Sequence, residues 1–333
     1  MNTETKEKTP APKGVIGCLA AGFEILGRNL GLAAIPALLD LFLWFGPRLS
    51  VAPLVQGFVA VLKAQPAPDP EMARQVTQAI QLLEQFGEQF NLLSLLSWLP
   101  LLHPPSLLAR HTWAKVSPIG DVRVFSVASL LALIPWWGIL VLIGLVLGFL
   151  YLNYLARRVR AEQAPAEPES TPNEALQEEQ LVPMSTSVVR PLRVFLFEAG
   201  LLAVGVVFIF VWMLMVGATT AFSQIVGFLV WMLGVGLISY VALHLIFVIP
   251  SVLVGGRGLL QAIWESVVLS HSQFPAVMGL VLLTLVIYEG LGYVWSLPPG
   301  DSWSLLVGIL GNAVIATGLT AAIFVFYQER LAD

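Results

Sequence analysis

From Ala199 to Gly256 the chain holds no Asp, Glu, Lys or Arg, and its run of Leu, Val, Ile, Phe, Trp, Gly and Ala is broken only by a polar stretch at residues 217–224. A bilayer core of about 30 Å takes about 20 helical residues, so the run predicts two crossings in an antiparallel hairpin. They fall at about 194–216 and 225–250, with the reversal at 217–224. The same pattern predicts four more crossings. The first covers about 30–45, contains Pro36, and is expected to run on as helix to about residue 62 outside the hydrocarbon. The second, at about 126–155, carries Pro135-Trp136-Trp137-Gly138 as a kink and the pair Gly144 and Gly148 as a seam for close helix contact. The fifth runs from Pro275 to about Trp295 and the sixth from about Trp303 to Tyr327, joined by the turn at 297–302.

Between the crossings lie segments with helical apolar periodicity that are too short or too polar to span. Residues 14–27 and 259–274 read as helices in the membrane interface, the first with Glu24 and Arg28 on its wet side. Asp69 followed by Pro70 is a helix start. The helix that follows repeats Met72, Val76, Ile80, Leu83, Phe86 and Phe90 at three- and four-residue spacing. It leads into an eleven-residue apolar run, Leu92 to Leu102, stopped by Pro100, Pro104 and Pro105. Residues 71–102 are therefore expected as a helix lying on the outer membrane surface, its end dipping into the interface, or else packed on the outer mouth of the bundle. Residues 1–13 and the Glu- and Pro-rich linker 157–190 have no apolar periodicity and read as disordered. The layout is then a tail, a first membrane half at 14–156 with an outer insertion at 49–125, a linker, and a second half at 191–333. The fold class is all-α, a polytopic transmembrane helical bundle of six spans with interfacial elbow helices.

Composition agrees: 57% hydrophobic and 11% charged residues lie far from the averages of about 45–50% and 25% in soluble domains. Basic residues cluster in alternate loops, at Arg157, Arg158 and Arg160 and again at Arg190 and Arg193, whereas the turns at 217–224 and 297–302 have none. The positive-inside rule then puts both termini in the cytoplasm, and the expected location is the plasma (inner) membrane. A single cysteine, Cys18, excludes an internal disulfide. Val15-Ile16-Gly17-Cys18 has the look of a lipidation box but lacks the apolar segment that must precede one.

No Gly-rich phosphate loop, paired-cysteine metal site, His-Glu-x-x-His run or Gly-x-Ser-x-Gly elbow is present in the sequence, so neither an enzyme nor a cofactor is expected. The candidate site is made of ionisable residues at membrane depth: Asp40, His244 and Glu289. Each is either part of an ion- or proton-binding site between helices or a polar contact that fixes packing. Asp40 and His244 lie at similar depth and are expected to face each other. Glu198, one turn inside the inner surface, is expected to reach headgroups.

The residues Gly22-Phe23-Glu24-Ile25-Leu26-Gly27-Arg28-Asn29 ahead of one span, and residues 262–275 ahead of another, resemble the elbow helices of bacterial six-span proteins. These are similar to the membrane domain found beside some glycerophosphodiester phosphodiesterases. The closing run 324–330 is similar to the end of those domains. The resemblance implies a fold and no reaction. Two classes of function follow: a non-catalytic scaffold, accessory or lipid-associated module, or a small-solute or ion transporter using Asp40, His244 and Glu289. The expected partners are the lipid bilayer and a membrane protein or second copy of the chain, and not nucleic acid.

Overall fold

The computed structural model describes residues 13–64, 70–110, 116–163 and 184–331. Of the disorder expected at 1–13 and 157–190, residues 1–12 and 164–183 fall outside the described residues, whereas 157–163 and 184–190 are helical and the expectation is corrected there. Among the described residues five helices are long and apolar enough to cross a membrane, and six crossings result if one bent pair counts as a span. The chain is thus an all-α polytopic transmembrane bundle. The sixth crossing is a break rather than a rod: α1 (Val15–Arg28) meets a 3-10 turn (Leu30–Ala33) and α2 (Ala34–Phe45) at 96°. α1 is the expected elbow. Its Glu24 and Arg28 pair at 2.5 Å on the exposed side, while Cys18, Gly22, Ile25 and Leu26 are buried on the other.

Four spans follow the insertion in order: α6 (Leu130–Gln163), α7 (Met184–Phe222), α8 (Gln224–Leu245) continued by α9 (Val248–Leu253), and, after the elbow α10 (Leu259–Ser272), α11 (Phe274–Trp295). α12 (Ser304–Glu329) closes the bundle and is its central column. Two thirds of its apolar window (67%) is buried, whereas none of that of α7 is. α1 reaches the column through small residues. A Cβ on Gly22 would stand 2.6 Å from the Ala322 nitrogen, and one on Gly318 would stand 2.4 Å from the Phe23 ring. Lys13 and Glu329 pair at 2.8 Å where α1 begins and α12 ends.

Three expectations about element limits are corrected. The polar stretch at 217–224 is helical as far as Phe222, and Ser223 alone takes the reversal. Thr219 and Thr220 donate back to the Met215 and Val216 carbonyls at 2.7 Å, so their hydroxyls are satisfied within the helix. Arg157, Arg158 and Arg160 belong to the last turns of α6 rather than to the linker. The first crossing does not run on to residue 62: Gly46 and Pro47 end it, a strand follows, and α3 (Ala52–Ala64) is separate.

The insertion is closed at its neck by two short parallel strands, β1 (Arg48–Ser50) and β4 (Val124–Ser126), which pair Arg48 with Val124 and Ser50 with Ser126. Beyond β1, α3 packs against α4 (Pro70–Gln89), and a Cβ on Gly87 would stand 2.8 Å from that of Val55. Buried Arg48 donates from Nη2 to the Gln89 carbonyl at 2.6 Å, placing a cation at the negative end of α4. A small hairpin, β2 (Val116–Ser117) with β3 (Gly120–Asp121), turns through Gly120 at φ +114°, a left-handed conformation that favours glycine.

Candidate functional site

Residues 91–110 do not extend α4. The chain turns at Asn91, whose Oδ1 accepts the Leu49 and Leu93 N–H groups at 3.1 and 3.2 Å and so caps a 3-10 helix, Leu92–Ser97. It then enters the bundle, so the expected surface helix over 71–102 is corrected: only its first part, α4, is helix against α3. A Cβ on Gly144 would stand 3.2 Å from the Leu96 carbonyl oxygen, and one on Gly148 would stand 2.1 Å from that of Leu102. The Gly144/Gly148 seam therefore seats a short 3-10 helix and the loop after it rather than a second long helix. Gly148 is nine residues from Arg157, about 13 Å at 1.5 Å per residue, close to the middle of a 30 Å core. The segment is re-entrant. Ser97 Oγ donates to the Pro104 carbonyl at 2.6 Å and closes the loop on itself.

Non-helical backbone at this depth has N–H groups without intrahelical partners, and each must find an acceptor from the protein. Two carboxylates provide them. Glu198 on α7, with no exposed surface, accepts the Leu101 N–H at 3.2 Å through Oε1. It therefore points to the loop apex and not to headgroups. Asp40 on α2, also wholly buried, accepts the Ser106 hydroxyl and the Leu107 and Leu108 N–H groups at 2.9 and 3.0 Å. These three donors start α5 (Leu107–Arg110). Ser106 Oγ in turn accepts the Ala109 N–H at 2.9 Å.

At the far end of α5, Arg110 forms an ion pair with Glu289 and stacks 4.3 Å from the centroid of the Tyr288 ring. Burial alone would lower the Arg110 pKa; the Glu289 and Tyr288 oxygens outweigh it and hold it above the ordinary arginine value. Asp40 and Glu289 thus hold opposite ends of one short helix. His244 is elsewhere. Its Nδ1 is 2.8 Å from the Tyr240 carbonyl one turn back, and its ring lies 4.2 Å from that of Tyr240. The expected Asp40–His244 pair is not formed, because each residue is already engaged, one by the re-entrant backbone and the other by its own helix.

A second interruption lies between α8 and α9. Pro250 cannot donate to the Ile246 carbonyl, and its ring crowds it, so the helix breaks there. The freed carbonyls of His244 and Leu243 accept the Ser266 and Ser270 hydroxyls at 2.6 and 3.1 Å. Both interruptions border one cavity of about 210 Å³, lined by Leu101 and His103 from the loop, Ile249 and Pro250 from the break, and Thr284 and Tyr288 from α11. His103 Nδ1 and Thr284 Oγ1 are buried without hydrogen-bond partners. Among the described residues no three His, Cys, Asp or Glu side chains are grouped to hold a metal ion.

Two apolar troughs flank α6. One, of about 460 Å³, lies between α2 and α6 with Leu93 and Leu96 at its floor. The other, of about 670 Å³, lies between the α3–α4 pair and the start of α6 and includes Phe58, Phe86, Trp98, Leu130, Ile134 and Trp137. Leu130, Ile134 and Trp98 are 69%, 67% and 73% exposed.

No protein-family model, no curated protein and no solved structure matches the chain.

Proposed function

We propose that the protein is a non-catalytic, lipid-associated module of the plasma membrane, with both termini cytoplasmic, whose outer insertion holds a phospholipid acyl chain. The height of the larger trough carries this reading. Counting from Arg157, a 30 Å core is used up in about 20 residues, at Trp137. Leu130, Leu133 and Ile134 lie beyond it, yet they line the trough with Phe58, Phe86 and Trp98. An apolar trough of this kind, raised above the hydrocarbon and continuous with it along α6, favours an occupant that is itself apolar and anchored below. An outer-leaflet acyl chain meets both conditions. The buried carboxylates support the same reading, since Asp40 and Glu198 are engaged in holding backbone.

The test is photo-cross-linking with phosphatidylcholine carrying a reactive group near the acyl terminus. Labelled peptides should come from 83–98 and 130–137 and disappear in Phe58→Glu/Phe86→Glu. Cross-links between two copies, or to a partner protein, in place of lipid would assign the trough to a protein neighbour and overturn the reading.

One observation favours the transporter reading instead: the 210 Å³ cavity lies where two interrupted segments meet, the arrangement common in secondary transporters. Liposomes loaded with a pH-sensitive dye decide it. A solute-dependent signal abolished by His103→Ala would put transport first.

A further inference from the structure

The end of the bundle opposite the insertion is rich in cations, and most of them have a neighbour that accounts for them. Arg28 pairs with Glu24 and Glu162, Arg257 lies 3.0 Å from Glu265, and Arg193 donates to the Arg257 carbonyl at 3.2 Å. Arg158 stacks 5.5 Å from the Tyr154 ring centroid. Arg157, Arg160 and Arg190 differ. Arg160 is half-buried, one turn from Arg157 on its own helix and, across the contact between α6 and α7, in repulsive reach of Arg190. Among the described residues no carboxylate forms an ion pair with any of the three.

The backbone holds this repulsion in place. Val159 beside Arg160 and Val194 near Arg190 have no exposed surface and belong to one buried core, which fixes the ends of α6 and α7. Arg190 Nη2 also lies 4.0 Å from where a Cβ would stand on Gly256, a residue at φ +65°. Like charges held by rigid elements are relieved by a counter-ion, and planar guanidinium forks match the oxygens of a phosphate. Below Arg157 on the same face of α6, seven and eleven residues back, Leu150 and Val146 are exposed. They give the tails of a lipid an apolar wall beneath its headgroup.

We propose that Arg157, Arg160 and Arg190 bind the phosphate of an anionic phospholipid headgroup in the leaflet at this end of the bundle. The inference deepens the lipid-associated reading but rests on headgroup charge, whereas the trough rests on acyl-chain contact. Either can therefore fail without the other.

The experiment is native mass spectrometry of the full-length, delipidated protein with phosphatidylglycerol and with phosphatidylcholine of identical acyl chains. Phosphatidylglycerol should be retained at least about tenfold more strongly. Arg160→Gln/Arg190→Gln should bring the two lipids level, Arg160→Lys/Arg190→Lys should keep part of the preference, and Arg158→Gln should keep all of it. Millimolar inorganic phosphate should not displace the lipid; displacement would assign the site to a free anion and overturn the lipid source. The Glu-rich linker is the chain's own competitor for the cluster. Changing Glu167, Glu169, Glu174, Glu178 and Glu179 to Gln should leave phosphatidylglycerol bound at least as strongly. A preference that survives Arg160→Gln/Arg190→Gln in protein that elutes and melts as wild type overturns the proposal, as does its loss on neutralising the linker.

Discussion

Replacing Asp40 tests whether a carboxylate in the middle of a membrane helix acts as a strut. Its two oxygens take three donors, all from the chain that re-enters the bundle, and no solvent reaches them. An orphaned buried donor costs about 1–3 kcal/mol, so Asp40→Ala puts about 3–9 kcal/mol at stake. That rivals the whole stability of an ordinary domain, about 5–15 kcal/mol. The loop should therefore leave its seat rather than stay unpaired, and the measured loss should stop at the cost of releasing it. Asp40→Asn keeps one acceptor oxygen and turns an amide donor toward one N–H, a loss of about 1–3 kcal/mol. Thermal unfolding in detergent should rank wild type above Asn above Ala. Maleimide labelling of Leu101→Cys in the folded protein should rise in the same order. Unchanged melting and labelling in both variants would refute the strut. A double-mutant cycle with His244→Gln should be additive within about 0.3–0.5 kcal/mol; a larger coupling would show that the two groups share a network after all.

Other expectations follow from the same contacts. Gly22→Ala forces a methyl against the α12 backbone and should cost about 1–3 kcal/mol, read as a fall in melting temperature. Gly138→Ala meets nothing within 4 Å and should be neutral or stabilising by about 0.5–1 kcal/mol, since it removes a helix-interior glycine. Arg110→Gln and Glu289→Gln should each lower the melting temperature in lipid, because each leaves the other half of an ion pair at membrane depth without its partner. In intact cells a cysteine at position 170 should stay unlabelled by an impermeant reagent from outside, and labelling would reverse the proposed orientation.

Much of this architecture can be read along the chain. Because a helix in hydrocarbon must be long, apolar and uninterrupted, periodicity and length locate both elbows and the last two spans to within a few residues. They also find the α7–α8 hairpin, though α7 starts ten residues earlier and ends six later than expected. Pro250 marks the α8–α9 break through chemistry that any proline carries. The re-entrant loop is harder to read. An eleven-residue apolar run looks the same whether it lies in the interface or folds back into the bundle, and only Asn91 as a cap and the prolines at 100, 104 and 105 separate the two. Asp40 stands out as a buried acid, but its partners are mainly backbone N–H groups, which nearly every residue carries, so no sequence pattern names them. Gly144 and Gly148 announce a close approach without saying that the approaching backbone is a loop.

The two halves solve opposite versions of one problem, and the side chains at each interruption follow from that. Where the chain re-enters at 91–110, the groups left over are N–H donors at Leu101, Leu107 and Leu108. No water lies in hydrocarbon to accept them, and a carboxylate, with two oxygens and about four lone-pair directions, is the most compact acceptor a neighbouring helix can supply. Where α8 breaks ahead of Pro250, the groups left over are carbonyls, at Leu243 and His244, and a carboxylate would repel them. Hydroxyls from Ser266 and Ser270 donate instead, and Ser266 Oγ also accepts the Phe247 N–H at 3.1 Å. The acid residues in the first half and the serines in the second are thus set by which backbone group each break orphans. By the same logic Ser266→Ala should loosen the α8–α9 break and leave the loop at 91–110 in place, whereas Glu198→Ala should free Leu101 and leave the break intact. Hydrogen exchange at those two segments separates the cases, and protection lost at both from either change would mean that the interruptions form one unit.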